Sequence, residues 1–127
     1  MTDIVDFLTA RIDEDEASAR WAFGDHNDNT ANWSEPTSGV VDLGGPGMDG
    51  LLPTGDQAVS RFIAEFDPAR VLAECAAKRA IIATRRHNPK NYIDPTYATI
   101  FENRDELLHT LATVYADHPD YDQRWRA

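Results

Sequence analysis

Asp67-Pro68-Ala69-Arg70-Val71-Leu72-Ala73-Glu74-Cys75-Ala76-Ala77-Lys78-Arg79-Ala80-Ile81-Ile82-Ala83-Thr84-Arg85-Arg86 carries the start, the apolar face and the end of one helix. The Asp67 carboxylate can accept from the free amides of a first turn, and proline suits the first helical position because its missing N–H has no partner there anyway. Val71, Leu72, Cys75, Ala76, Ile81 and Ile82 recur at helical spacing, and His87, Asn88 and Pro89 stop the run. A helix over 68–86 is predicted. Asp94-Pro95 repeats the start signal and predicts another over 95–115, with Tyr97, Phe101, Leu108, Leu111 and Tyr115 inward.

Working towards the N-terminus, Thr54 is the expected N-cap of a helix over 55–66, whose Val59, Phe62, Ile63 and Phe66 form an apolar stripe. A first helix over 3–22 follows from Val5, Leu8, Ile12, Ala19 and Ala22 at steps of three, four or their sums. Between these two helices, Gly24 to Asn32 reads as a loop of short polar residues that bond their own backbone. Two short β-compatible runs, Trp33 to Glu35 and Gly39 to Leu43, flank Pro36, Thr37 and Ser38. They predict a two-stranded hairpin over 33–43, held on the helices through Trp33 and Val41 because an isolated hairpin is marginal in water. A glycine-rich loop over 44–53 and a tail over 117–127 complete the reading. The expected fold class is mainly α with a small β element (α+β), four helices packed as one domain over 1–127.

The chain has 127 residues, 42% hydrophobic and 27% charged, a balance that supports one core and argues against wholesale disorder. No apolar run approaches the ~20 residues of a membrane-spanning helix, and acids stand where a signal peptide has a basic stretch. Cys75 is the single cysteine, which excludes an internal disulfide and fits a reducing cytoplasm. The net charge of -10 opposes non-specific binding to nucleic acid or anionic lipid. All of that excess lies in residues 1–66, where 13 acids face Arg11, Arg20 and Arg61.

Three segments carry a family resemblance. They are Phe7-Leu8-Thr9-Ala10-Arg11-Ile12-Asp13-Glu14-Asp15-Glu16, then Asp67 to Glu74 with Lys78-Arg79, and Leu111 through Tyr115-Ala116-Asp117-His118-Pro119-Asp120-Tyr121 with Trp125-Arg126. Together the chain resembles a family of small proteins of unknown function encoded by actinobacteria and their phages. The resemblance implies such an origin and transfers no activity, cofactor or catalytic residue.

The candidate chemistry is sparse. Asp25, Asn27 and Asn29 imitate the start of a calcium loop, but Thr30 replaces its glycine and Pro36 its final glutamate. His118 among Asp117, Asp120 and Asp122 offers metal-ligand types, against a structural account in which Asp120 caps a last turn that folds Tyr121 and Trp125 onto the core. No phosphate loop, nucleophile elbow, paired-histidine or dinucleotide motif is present, and Cys75 reads as a core residue. No catalytic residue, metal or cofactor is assigned. The leading expectation is a non-catalytic accessory protein that binds a cellular protein through Asp13, Glu14, Glu16 and Trp33. A second is contact with nucleic acid through Arg79, Arg85, Arg86 and Lys90, or an acidic surface that mimics DNA. A third is a small metal-dependent enzyme built on His118, and either a monomer or a homodimer is compatible with the sequence.

Overall fold

The computed structural model describes residues 3–24, 27–86 and 105–126. Its elements are helix α1 (Ile4–Trp21), strands β1 (Ser34–Thr37), β2 (Val40–Asp42) and β3 (Leu51–Pro53), and helices α2 (Gln57–Glu65) and α3 (Pro68–Arg86). The described part of a fourth helix, α4, covers 105–112 and runs into a 3-10 turn at Thr113–Tyr115, with a last 3-10 turn at Gln123–Trp125. The α+β class and its four helices are as expected. Tyr97, Phe101 and the predicted start of the last helix lie outside the described residues.

The residues form two compact units, Met1–Asp13 with Ala76–Ala127, and Glu14–Cys75. Helices α1 and α3 each contribute residues to both. In the first unit, Ile4, Phe7, Leu8 and Ile12 of α1, Ile82 of α3, Leu108 and Ala112 of α4, and Tyr121 and Trp125 are buried. Phe7 is the hub, its ring centroid 5.0 Å from Trp125, 6.0 Å from Tyr121, 5.9 Å from His118 and 6.3 Å from Tyr115. Tyr121 and Trp125 therefore do fold back onto a core. The cap of that last turn is Asp122, whose carboxylate accepts from the Arg124 amide at 2.9 Å, and not Asp120. Because the Arg124 side chain also binds it, the Asp122 carboxyl is lowered to about 2.

In the second unit the sheet has three antiparallel strands in the order β1-β2-β3. The predicted hairpin is present with its turn one position later than expected, at Ser38 and Gly39, where Gly39 takes φ +80, a left-handed conformation that suits glycine. Pro36 and Thr37 lie inside β1, an edge strand, where a missing N–H is tolerated. Residues 51–53, read as loop, form β3, with Val41 opposite Leu52 and Asp42 opposite Leu51. The connection between β2 and β3 closes because two glycines touch backbone to backbone. A Cβ on Gly50 would stand 2.5 Å from the Gly45 carbonyl oxygen, while Leu43 donates to the Gly50 carbonyl at 2.7 Å. Gly50→Ala is accordingly expected to lower stability by about 1–3 kcal/mol, since no side chain can move to make room. A thermal melt unchanged from the parent would contradict it.

Helix α3 begins where Asp67-Pro68 predicts. Asp67 Oδ1 accepts from the Arg70 amide at 2.9 Å, and Oδ2 accepts from the Trp33 amide at 3.0 Å, so one carboxylate caps the helix and anchors the loop before β1. Ala69 adds a backbone bond to Ala31 at 2.9 Å. Cys75 and Ile82, seven residues apart, share the buried face, whereas Ala76 and Ile81 are rotated off it and exposed, contrary to the predicted stripe. Thr54 does not cap α2. Asp56 does, accepting from the Val59 amide at 3.0 Å, and the Thr54 hydroxyl instead meets Ser60 Oγ at 2.6 Å.

Candidate functional site

That Thr54–Ser60 contact sets the orientation of α2. Ser60 is fully buried and the helix packs on β1 and β2. At about 100° per residue, Phe62 lies roughly 160° around the helix from Ser60, and Val59 and Phe66 fall on the same outward side. Three of the four residues of the apolar stripe read from the sequence thus face solvent, with Val59 48%, Phe62 61% and Phe66 41% exposed, while Ile63 is half-buried. A small serine, satisfied by a threonine hydroxyl, allows a close approach to the sheet that a phenylalanine would prevent.

The exposed rings are ordered by contacts of their own. Phe62 and Phe66 stack with centroids 4.6 Å apart and an interplanar angle of 26°. The Arg70 guanidinium lies 4.0 Å from the Phe66 centroid, and its Nε donates to Glu74 at 3.2 Å. One shallow recess beside this pair is lined by Asp56, Gln57, Ala58, Arg61, Phe62 and Glu65. On the other side Phe66 joins Asp15, Ala19, Ala22, Trp33 and Val71 around a second recess of about 260 Å³. An aromatic ridge with a hollow on either side, rimmed by carboxylates, thus stands on the surface of the Glu14–Cys75 unit. That unit holds twelve Asp/Glu against Arg20, Arg61 and Arg70, a formal -9 of the chain's -10.

The residues singled out from the sequence are dispersed. Trp33 precedes β1 and lines the second recess, half-buried, with its indole N–H donating to the Thr30 carbonyl at 2.8 Å. Glu14 is exposed on α1, and Glu16 accepts from Arg20 one turn later at 2.9 Å. Asp13 belongs to the other unit, where it pairs with Arg79 at 2.8 Å. A residue expected on the acidic surface and one expected on the basic surface therefore bind each other. Arg85 and Arg86 end α3, and Lys90 lies outside the described residues.

His118 is engaged within its unit. Its Nδ1 accepts from the Asp120 amide at 3.0 Å, and the guanidinium of the buried Arg11 meets both ring nitrogens while also lying 5.4 Å from the Phe7 centroid. Among the described residues, no group of three or more His, Cys, Asp or Glu is placed to hold a metal ion. Asn27 Oδ1 accepts from the Asn29 backbone amide at 2.9 Å, a local turn bond that occupies one of the three oxygen positions read as a calcium-loop fragment, and Asn29 Nδ2 donates to the Ala22 carbonyl at 3.4 Å; Asp25 lies outside the described residues. Cys75 is buried. None of the described helices is long and apolar enough to cross a membrane.

A family model described as "Family of unknown function (DUF6221)" matches residues 1–127. The chain belongs to this family. The match covers both units of the DUF6221 fold, the aromatic hub around Phe7 as well as the ridge on α2. No curated protein and no solved structure matches it. What the DUF6221 chain does has to be reasoned from its own surface. The α2 ridge was the part that sequence reading missed, although the Val59, Phe62 and Phe66 spacing was the available signal.

Proposed function

We propose that this protein is a non-catalytic interaction module that docks a basic, apolar-faced segment of a partner protein on the outward side of α2. The observation that carries the reading is the exposed Phe62–Phe66 pair on the unit that holds -9. Solvent-facing aromatics without a covering element mark interaction surfaces when they form a contiguous patch. Charge selects among occupants. A second copy would bring two strongly acidic units together, whereas a Lys/Arg-rich segment gains complementary potential and a faster encounter. The surface of a DNA-binding protein is one basic surface of this kind. Direct nucleic-acid contact has less support, because Arg79 is tied to Asp13.

The test is a titration of the full chain with a model amphipathic helix of lysine and leucine, alongside a glutamate–leucine helix of equal length. The basic helix should bind, more weakly as salt rises, and Phe62→Asp should reduce affinity at least tenfold while leaving the melting curve unchanged. Equal binding of both helices, binding of neither, or concentration-dependent self-association abolished by Phe62→Asp would each refute the reading.

A further inference from the structure

Resting on that docking face, we infer that α2 receives an arginine side chain of the partner at Phe62, with the Glu65 and Asp56 carboxylates beside the guanidinium. The molecule already contains the arrangement once. Arg70 lies 4.0 Å from the Phe66 centroid and donates to Glu74, so an aromatic ring supplies a surface for the guanidinium while a carboxylate takes its N–H groups. Phe62 repeats the first half of this arrangement one helical turn earlier. It stacks on Phe66, yet it is the most exposed residue of the stripe at 61%, and no arginine of the described residues lies over its ring as Arg70 lies over Phe66.

The recess at Phe62 supplies the second half. Glu65 and Asp56 both line it, and Gln57 adds a neutral amide. Arg61 is the single cation in the lining, so the two carboxylates leave it one negative charge in excess. Asp56 spends one carboxylate oxygen on the Val59 amide, so Glu65 is the principal acceptor. Arginine fits better than lysine for a stated reason. A planar guanidinium lies flat on a ring and still directs N–H groups sideways to a carboxylate, whereas an ammonium is a compact, strongly hydrated charge that loses water to do the same.

The probes are three lysine–leucine helices that differ only at a central position, which is arginine, lysine or citrulline, the last keeping the shape and removing the charge. On the native chain the arginine helix should bind about two- to fivefold tighter than the lysine helix, the range of a solvent-exposed cation–aromatic contact. Its δ-methylene protons should shift upfield on binding under the Phe62 ring current. Phe62→Leu keeps most of the apolar area, and it should erase both the arginine-over-lysine preference and the shift. Glu65→Gln should narrow the arginine-over-citrulline gap while leaving the shift in place. If all three helices bind equally, or the preference survives Phe62→Leu, the arginine contact is wrong and the docking face stands. If no basic helix binds, both fall.

Discussion

Replacing Phe7 by alanine is expected to remove about 3–5 kcal/mol of stability, the range for deleting a buried aromatic that its surroundings cannot collapse to fill. Phe7 is 2% exposed and touches four rings, contributed by Tyr115, His118, Tyr121 and Trp125. All four of those rings lie beyond α4 in a stretch whose only regular structure is two 3-10 turns. Such turns have little stability of their own, so the segment is held mainly by what its aromatics bury. Against a typical reserve of about 5–15 kcal/mol, the variant should melt roughly 10–20 °C lower. Amide exchange over 113–126 should accelerate more than exchange in α2. Phe7→Leu keeps apolar volume without the edge-to-face contacts and should cost well under half as much. A loss below about 1 kcal/mol for Phe7→Ala, or exchange raised uniformly along the chain, would show that Phe7 is not the hub.

Asp67→Ala is expected to cost about 2–3 kcal/mol although the side chain is not fully buried. The carboxylate makes two different bonds, one to the Arg70 amide as the α3 N-cap and one to the Trp33 amide across 34 positions of sequence. Loss of the cap alone costs about 1 kcal/mol, and a partly buried amide left without an acceptor adds a comparable penalty. Asp67→Asn separates the two. Its single carbonyl oxygen can serve Arg70, but its NH2 group would face the Trp33 N–H, donor against donor, so the loss should fall between those of the parent and the alanine variant. Urea unfolding with fitted midpoints measures this, and an asparagine variant as unstable as the alanine one would remove the capping half of the explanation.

The parts of the fold that were legible are those governed by local rules. Asp67-Pro68 placed the start of α3 because capping and proline chemistry act within one turn. Leu8, Ile12 and Ala19 of the face read on α1 are buried, but that reading ran through Val5 and Ala22, which are only half-buried, and passed over Phe7, the actual hub. At Thr54 and Asp56 two residues capable of capping stood two positions apart, and only the contact with Ser60 decides between them. β3 has three residues between glycine-rich and turn-forming neighbours, too short for any alternation to register. The candidate site failed for a different reason. Periodicity tells which residues share a face of α2, but whether that face meets the sheet or the solvent depends on Ser60 fitting where a larger residue would not. The pairing of Asp13 with Arg79, 66 positions apart, was likewise beyond any local rule.

The concentration of charge in residues 14–75 ties folding to occupancy. Twelve acids against three arginines repel one another in the folded unit, so raising the salt concentration relieves the fold while screening its attraction for a cationic partner. Stability and affinity then respond to salt with opposite signs. A bound basic segment does locally what salt does globally, neutralising the surface that strains the unit, and by mass action the proposed complex melts at a higher temperature than the free chain. The charge that selects the partner is thus also what leaves the unbound protein something to gain from it.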